Sequence, residues 1–176
     1  NNPYSAINEF KMMIDTFHKF GIGVILDVVF NHVYLKEKYA FGKIVPYYFY
    51  RYYANGEMSN GSWCGNDVAT ERLMNRKFII DSLEYYQNEF AIDGFRFDLA
   101  TTLCRRNNEF KQTSGFLYAV AQDEVLQKVK MIAEPWDVGF GGYQLGSFPV
   151  GWAEWNDKYR DNIRRFWKGD VFQIAE

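Results

Sequence analysis

Apolar side chains near the start of the chain recur at helical spacing. Ile7, Phe10, Met13, Ile14 and Phe17 share a face, Ser5 stands where a cap belongs, and Gly21 ends the run. The period then changes. GVILDVVF at 23–30 is nearly continuous and β-branched, the pattern of a strand covered on both faces in a parallel sheet. Helical period returns over 71–90, with Ile79, Leu83, Tyr86 and Phe90 aligned, and GFRFDLA at 94–100 reads as a second short strand. After a polar stretch, Leu117, Val120, Ala121 and Val125 suit a helix over 116–128, and KMIAE at 130–134 is a third strand. A Gly-rich loop follows. The last helix spans 157–168, with Asp157 as cap and Tyr159, Ile163, Phe166 and Trp167 as its apolar face. Arg160, Arg164, Arg165 and Lys168 on that helix read as a solvated face. The order α, β, α, β, α, β, α predicts a parallel sheet covered by helices. Residues 31–69 interrupt it as a long irregular stretch with turn signals at Asn55-Gly56 and Asn60-Gly61. A stretch of that length inside a domain is usually functional.

The second strand carries an oddity. Arg96 and Asp98 lie two apart, so both point to one face while Phe95, Phe97 and Leu99 point to the other. Charge in an apolar strand is costly unless paired. Each of the three strands also ends in a carboxylate: Asp27, Asp98 and Glu134. In a parallel sheet these ends share one edge, and neighbouring strands are about 4.8 Å apart. Asp98 and Glu134 can therefore face each other. Two carboxylates about 5–5.5 Å apart are the equipment of a retaining glycosidase. Arg96 favours an ionised Asp98 as nucleophile, and the apolar setting of Glu134 favours a protonated acid. Taken singly, each residue has a plainer reading: a structural ion pair for Arg96–Asp98, a turn residue for Asp27, a solvated loop carboxylate for Glu134. Asn31 and His32, directly after the first strand, are candidates for contacts in the same cleft.

Composition narrows the picture. The 176 residues fit one domain, and 48% apolar with 24% charged is ordinary for a globular chain. A net charge of −2 offers no field for nucleic acid or an anionic membrane. Aromatic content of 19% fits either a bulky core or a sugar-binding groove, for which Tyr47, Tyr48, Tyr50, Tyr52, Tyr53, Trp136, Trp152 and Trp155 are candidates. Cys64 and Cys104 lack metal-ligand spacing, and nothing argues for a disulfide between them. There is no transmembrane run or signal peptide, but the chain opens without Met, so location stays open with a slight lean to the cytoplasm.

DVVFNH (27–32), GFRFDLA (94–100) and IAEPWD (132–137) resemble three of the four signature regions of the α-amylase superfamily. The resemblance implies an α/β fold, part of a (β/α)₈ TIM barrel, with the three strands as barrel strands 3 to 5 and the site at their C-terminal ends. Residues 1–176 are then a partial catalytic barrel domain, with 31–69 a long loop or small subdomain after the third strand. It places the nucleophile on Asp98, the acid/base on Glu134 and the substrate contacts on His32 and Arg96, with Asp27, Asn31 and Trp136 in the same cleft. Residues 41–72 are similar to type I pullulanases, and 141–170 to isoamylases and glycogen debranching enzymes. Both groups act on α-1,6 branches, so the expected partner is a branched α-glucan such as glycogen, starch or pullulan. The rival expectations are an α-1,4-acting or branching enzyme on the same barrel, and an inactive glucan-binding scaffold. No cofactor is implied; calcium occurs in the family, but no complete oxygen cage is visible here. The fourth signature region is absent, so the chain reads as a fragment without activity of its own.

Overall fold

In the computed structural model, residues 2–170 are described. Four parallel strands form one sheet in the order β1 (Ile25–Val28), β2 (Gly94–Phe97), β5 (Lys130–Ala133), β6 (Trp152–Glu154). Two shorter strands, β3 (Arg105–Arg106) and β4 (Glu109–Phe110), make a separate antiparallel hairpin. The helices are α1 (Pro3–Lys19), α2 (Ala40–Ile44), α3 (Leu73–Phe90), α4 (Ala100–Leu103), α5 (Gly115–Gln122) and α6 (Asp157–Lys168), with a 3₁₀ turn at Leu126–Lys128.

The three expected strands are present, and β6 is a correction to the expected count. WAE is too short and too mixed to carry a strand signal. It becomes a strand because β5 offers it an open edge, with Met131, Ile132 and Ala133 opposite Trp152, Ala153 and Glu154. A second correction concerns β1, which is not covered on both faces. Ile25 is 38% exposed, because β1 pairs with β2 alone among the described residues. The 116–128 helix breaks at Asp123, whose carboxylate accepts from the N–H groups of Val125 and Leu126 and starts the 3₁₀ turn. Local hydrogen bonding by Asp competes with helix continuation. Caps also shift: Asn2, not Ser5, caps α1 through Tyr4 N–H, and Asn156, not Asp157, caps α6 through Tyr159 N–H. The first moves by three positions and the second by one, each to an Asn whose side chain reaches the free N–H.

The core lies on the helix side of β2. Phe95 and Phe97 are fully buried, and Phe97 packs on Phe116 and Trp152 at ring separations of 5.6 and 5.3 Å. Fully burying a side chain of this size contributes about 1.5–3 kcal/mol. Ile79, Leu83 and Phe90 of α3 and Phe116, Leu117 and Val120 of α5 complete it. Gly94 is needed where β1, β2 and β5 converge: a Cβ there would stand 2.5 Å from the Lys130 carbonyl oxygen. The expected apolar face of α6 exists but is uncovered, with Tyr159 and Trp167 at 67% and 80% exposure. Of the candidate groove aromatics, Trp152 and Tyr50 are instead packing residues, Trp152 against Phe97 and Phe148, and Tyr50 buried with its hydroxyl donating to the Lys36 carbonyl.

The 31–69 stretch stays largely irregular but is anchored. Phe49, Tyr50 and Val68 form a small second core. The buried Arg51 fork pairs with Glu71 at 2.9 Å and donates to the Thr102 carbonyl. The Asp67 carboxylate, also buried, accepts from Ser59, Gly61 and Ser62. Arg105 grips Asp137 with two donors at 2.7 and 2.6 Å, and the next residue, Val138, donates its N–H to Gly61. The buried Arg51 ties the stretch to α4, and the Val138–Gly61 backbone bond ties it to the loop after β5.

Candidate active site

The parallel register sets the site. Asp27 lies opposite Arg96, and Phe97 opposite Ala133, so Asp98 and Glu134 emerge level with each other one step beyond paired residues. Arg96 is the hub. Its guanidinium reaches Asp27 at 2.8 Å, Asp98 at 3.1 Å and Glu134 at 2.8 Å. Its side chain is 9% exposed, against 60% for Asp27, 26% for Asp98 and 13% for Glu134. Burial opposes its charge, but the hydrogen bond to Asp27 and the charge of Glu134 hold its pKa above the ordinary value. The oddity in the second strand is thus one cation shared by three carboxylates.

Glu134 is raised above its ordinary carboxyl value. Burial is the main cause, and the neighbouring Asp98 charge and hydrogen bond add to it, against the lowering effects of Leu99 N–H and Arg96. The Leu99 contact depends on unusual backbone. Leu99 sits at φ +42° in the left-handed region, and its N–H reaches Glu134 Oε2 at 2.8 Å. A branched residue there is strained, and such strain gathers at functional sites.

Asp98 is oriented at both oxygens. Arg96 holds Oδ1, and Asn31 Nδ2 donates to Oδ2 at 2.9 Å and to the Asp98 carbonyl at 2.7 Å. Because the Asn31 amide nitrogen is committed to Asp98, its oxygen must accept from His32 Nδ1, 2.5 Å away. That places a proton on His32 Nδ1 and leaves the Nε2 side of the ring without a partner among the described residues. Asn31 is itself fully buried, and its carbonyl accepts from Val68 N–H, so the irregular stretch supports the nucleophile side.

All seven sequence candidates lie at this edge of the sheet. Six form one connected polar group, while Trp136 joins through its backbone N–H, which donates to the Glu134 carbonyl at 2.9 Å. Two participants were not assigned these roles from sequence. One is the Leu99 N–H. The other is Trp155, whose ring covers the Arg96 guanidinium at 4.0 Å from its centroid. Trp155 follows the unforeseen β6, so its placement could not be read without that strand. A cleft of about 470 Å³ is lined by His32 but by none of the three carboxylates. Among the described residues no group of three or more His, Cys, Asp or Glu side chains is arranged to hold a metal ion. Both cysteines are free, and burial pushes the Cys104 thiol up to about 12.

No protein-family model matches the chain. It is similar to the glycogen operon protein GlgX homolog of Mycobacterium tuberculosis, with 43% identity over 98% of this chain and 25% of that protein. It is likewise similar to the glycogen debranching enzyme of Yersinia enterocolitica, with 44% identity over 95% of this chain and 26% of the enzyme. Among solved structures it resembles type I pullulanase from Bacillus subtilis complexed with maltose, with a TM-score of 0.76 and 38% identity over 95% of this chain and 23% of that one. The pullulanase from an Anoxybacillus species complexed with maltotetraose matches with a TM-score of 0.76 and 38% identity, over 92% and 24%. The chain thus spans about a quarter of the length of the curated relatives it matches.

Proposed function

Because the chain belongs to the α-amylase superfamily, among its glycogen debranching enzymes and pullulanases, we propose that it carries the catalytic carboxylates of a debranching enzyme. The reaction is retaining hydrolysis of α-1,6-glucosidic branches in glycogen, starch or pullulan. The observation that carries this reading is the single Arg96 fork holding Asp98 and Glu134 at the ends of adjacent parallel strands.

Asp98 attacks the anomeric carbon while Glu134 protonates the departing glycosidic oxygen. Glu134, now ionised, then takes a proton from the water that releases the sugar from Asp98. The raised pKa of Glu134 suits the first role. Asn31 and Arg96 fix the two oxygens of Asp98 so that it reaches the sugar without reorganising. His32 and Trp136 contact the sugar, and Asp27 orients Arg96. No step is assigned to a metal or cofactor.

In this reading the four parallel strands are the third to sixth of a (β/α)₈ barrel, and 31–69 is the excursion after the third. The open edge of β1 and the uncovered face of α6 are consistent with further barrel elements packing there. We expect the purified 176-residue chain to show no turnover. Grafted in place of the matching segment of the Bacillus subtilis pullulanase, it should cleave pullulan in preference to linear amylose. Asp98→Asn in the graft should leave less than about a thousandth of the rate, given what nucleophilic and acid–base catalysis supply. A larger residue would remove Asp98 from the nucleophile role, and preference for amylose would favour the α-1,4 reading.

A further inference from the structure

Away from the carboxylates, two adjacent clefts of about 350 and 200 Å³ share Glu71 and Arg106 in their walls. Arg51 and Arg72 line the larger cleft and Arg76 and Arg105 the smaller, so five arginines border the pair of clefts. Two of them are neutralised: Arg51 by Glu71, and Arg105 by Asp137. The other three are not. Arg72 lies over the Tyr48 ring, and Arg76 donates to the Thr70 carbonyl. Arg106 is exposed and has no partner among the described residues. Glu109 stands opposite Arg106 in the hairpin, but its carboxylate is taken by Lys111 at 2.6 Å. The amino end of α5 also opens onto the smaller cleft through Ser114 and Gly115, adding partial positive charge. In a chain of net charge −2, three arginines without a carboxylate partner in the walls of two adjoining clefts leave positive charge there for an anion to neutralise. Planar forks of this kind match phosphate oxygens in pairs. The outer wall adds Tyr52 and Asn107, a ring face and an amide suited to a hexose.

We propose that this double cleft binds a phosphorylated sugar, with the phosphoryl group on Arg72, Arg76 and Arg106 and the sugar against Tyr52 and Asn107. The site is separate from the carboxylate cluster. It is linked to it mechanically, because Arg51 in its wall donates to the carbonyl of Thr102 in α4, the helix that begins two residues after Asp98. The proposal does not depend on the debranching reading, since binding is measured without turnover.

The test titrates the 176-residue chain with glucose 6-phosphate by calorimetry at low salt, with glucose and inorganic phosphate as separate probes. Glucose 6-phosphate should bind, glucose should not, and inorganic phosphate should bind several-fold more weakly than the ester. Arg106→Glu should weaken the ester at least tenfold and Arg72→Gln several-fold, while Arg164→Glu on α6 should leave it unchanged. Equal weakening by Arg106→Glu and Arg164→Glu would reduce the effect to general charge and overturn the site. Equal affinity for inorganic phosphate would overturn the sugar assignment. Should a substitution unfold the chain, the wild type decides: glucose 6-phosphate should protect Arg106 from phenylglyoxal, read by mass spectrometry, and absence of protection overturns the proposal.

Discussion

Replacing Arg96 by Leu tests the hub directly. The side chain that Leu replaces is 9% exposed and satisfies Glu134, itself 13% exposed, together with Asp98. Removing one partner of a buried ion pair costs about 3–5 kcal/mol. Asp27 is 60% exposed and loses little, so the lower end applies, about 3 kcal/mol at pH 8. With a urea slope of about 2 kcal/mol/M, the unfolding midpoint should fall by about 1.5 M. The loss should depend on pH in a fixed direction. Glu134 sits above its ordinary value of 4.5 in the folded protein. Between that value and the raised one, the folded state keeps a proton that the unfolded chain has released. Stability therefore falls as pH rises through the window. Arg96 is one of the influences lowering Glu134, so its removal extends the window upward. The deficit of the Leu variant should be smaller at pH 5 than at pH 8. Urea unfolding followed by circular dichroism at both pH values reads this. A deficit below about 1 kcal/mol at pH 8 would make the cluster a solvated ion pair, and equal deficits at both pH values would detach Glu134 from it.

Gly94→Ala should destabilise by about 1–3 kcal/mol, because its Cβ would meet the Lys130 carbonyl oxygen at 2.5 Å and Ile25 Cδ1 at 2.8 Å; an unchanged urea midpoint would refute the close approach. Arg105→Met leaves the fully buried Asp137 carboxylate without its cation and should cost about 3–5 kcal/mol, with faster amide exchange at Val138 as the local signature. Trp155→Ala should cost about 1 kcal/mol through loss of the stack on Arg96, while Trp155→Phe should keep most of it; equal losses would assign the effect to burial alone. In the pullulanase graft, activity should fall as pH rises through the raised Glu134 value, because the acid must be protonated; a pH profile lacking that limb would reassign the acid.

GVILDVVF, GFRFDLA and KMIAE were legible as strands because β-branched and aromatic runs between helical periods have few other solutions. Their parallel order then put Asp27, Asp98 and Glu134 on one edge, and the alternation of Arg96 and Asp98 against Phe95 and Phe97 set which side faced the site. These are short-range consequences of side-chain period, and the chain alone determined them. What the tertiary structure decided has no local signal. WAE becomes a strand only because β5 leaves an edge free, and that strand delivers Trp155 onto Arg96. Leu99 takes a left-handed conformation because the Asp98 turn and the Glu134 carboxylate converge on its N–H. The third carboxylate on Arg96, the Asn31–Asp98 contact and the arginine clefts likewise join residues far apart in sequence. Their partners are chosen by packing, which fixes distances and burial together, and neither quantity exists until the chain has folded.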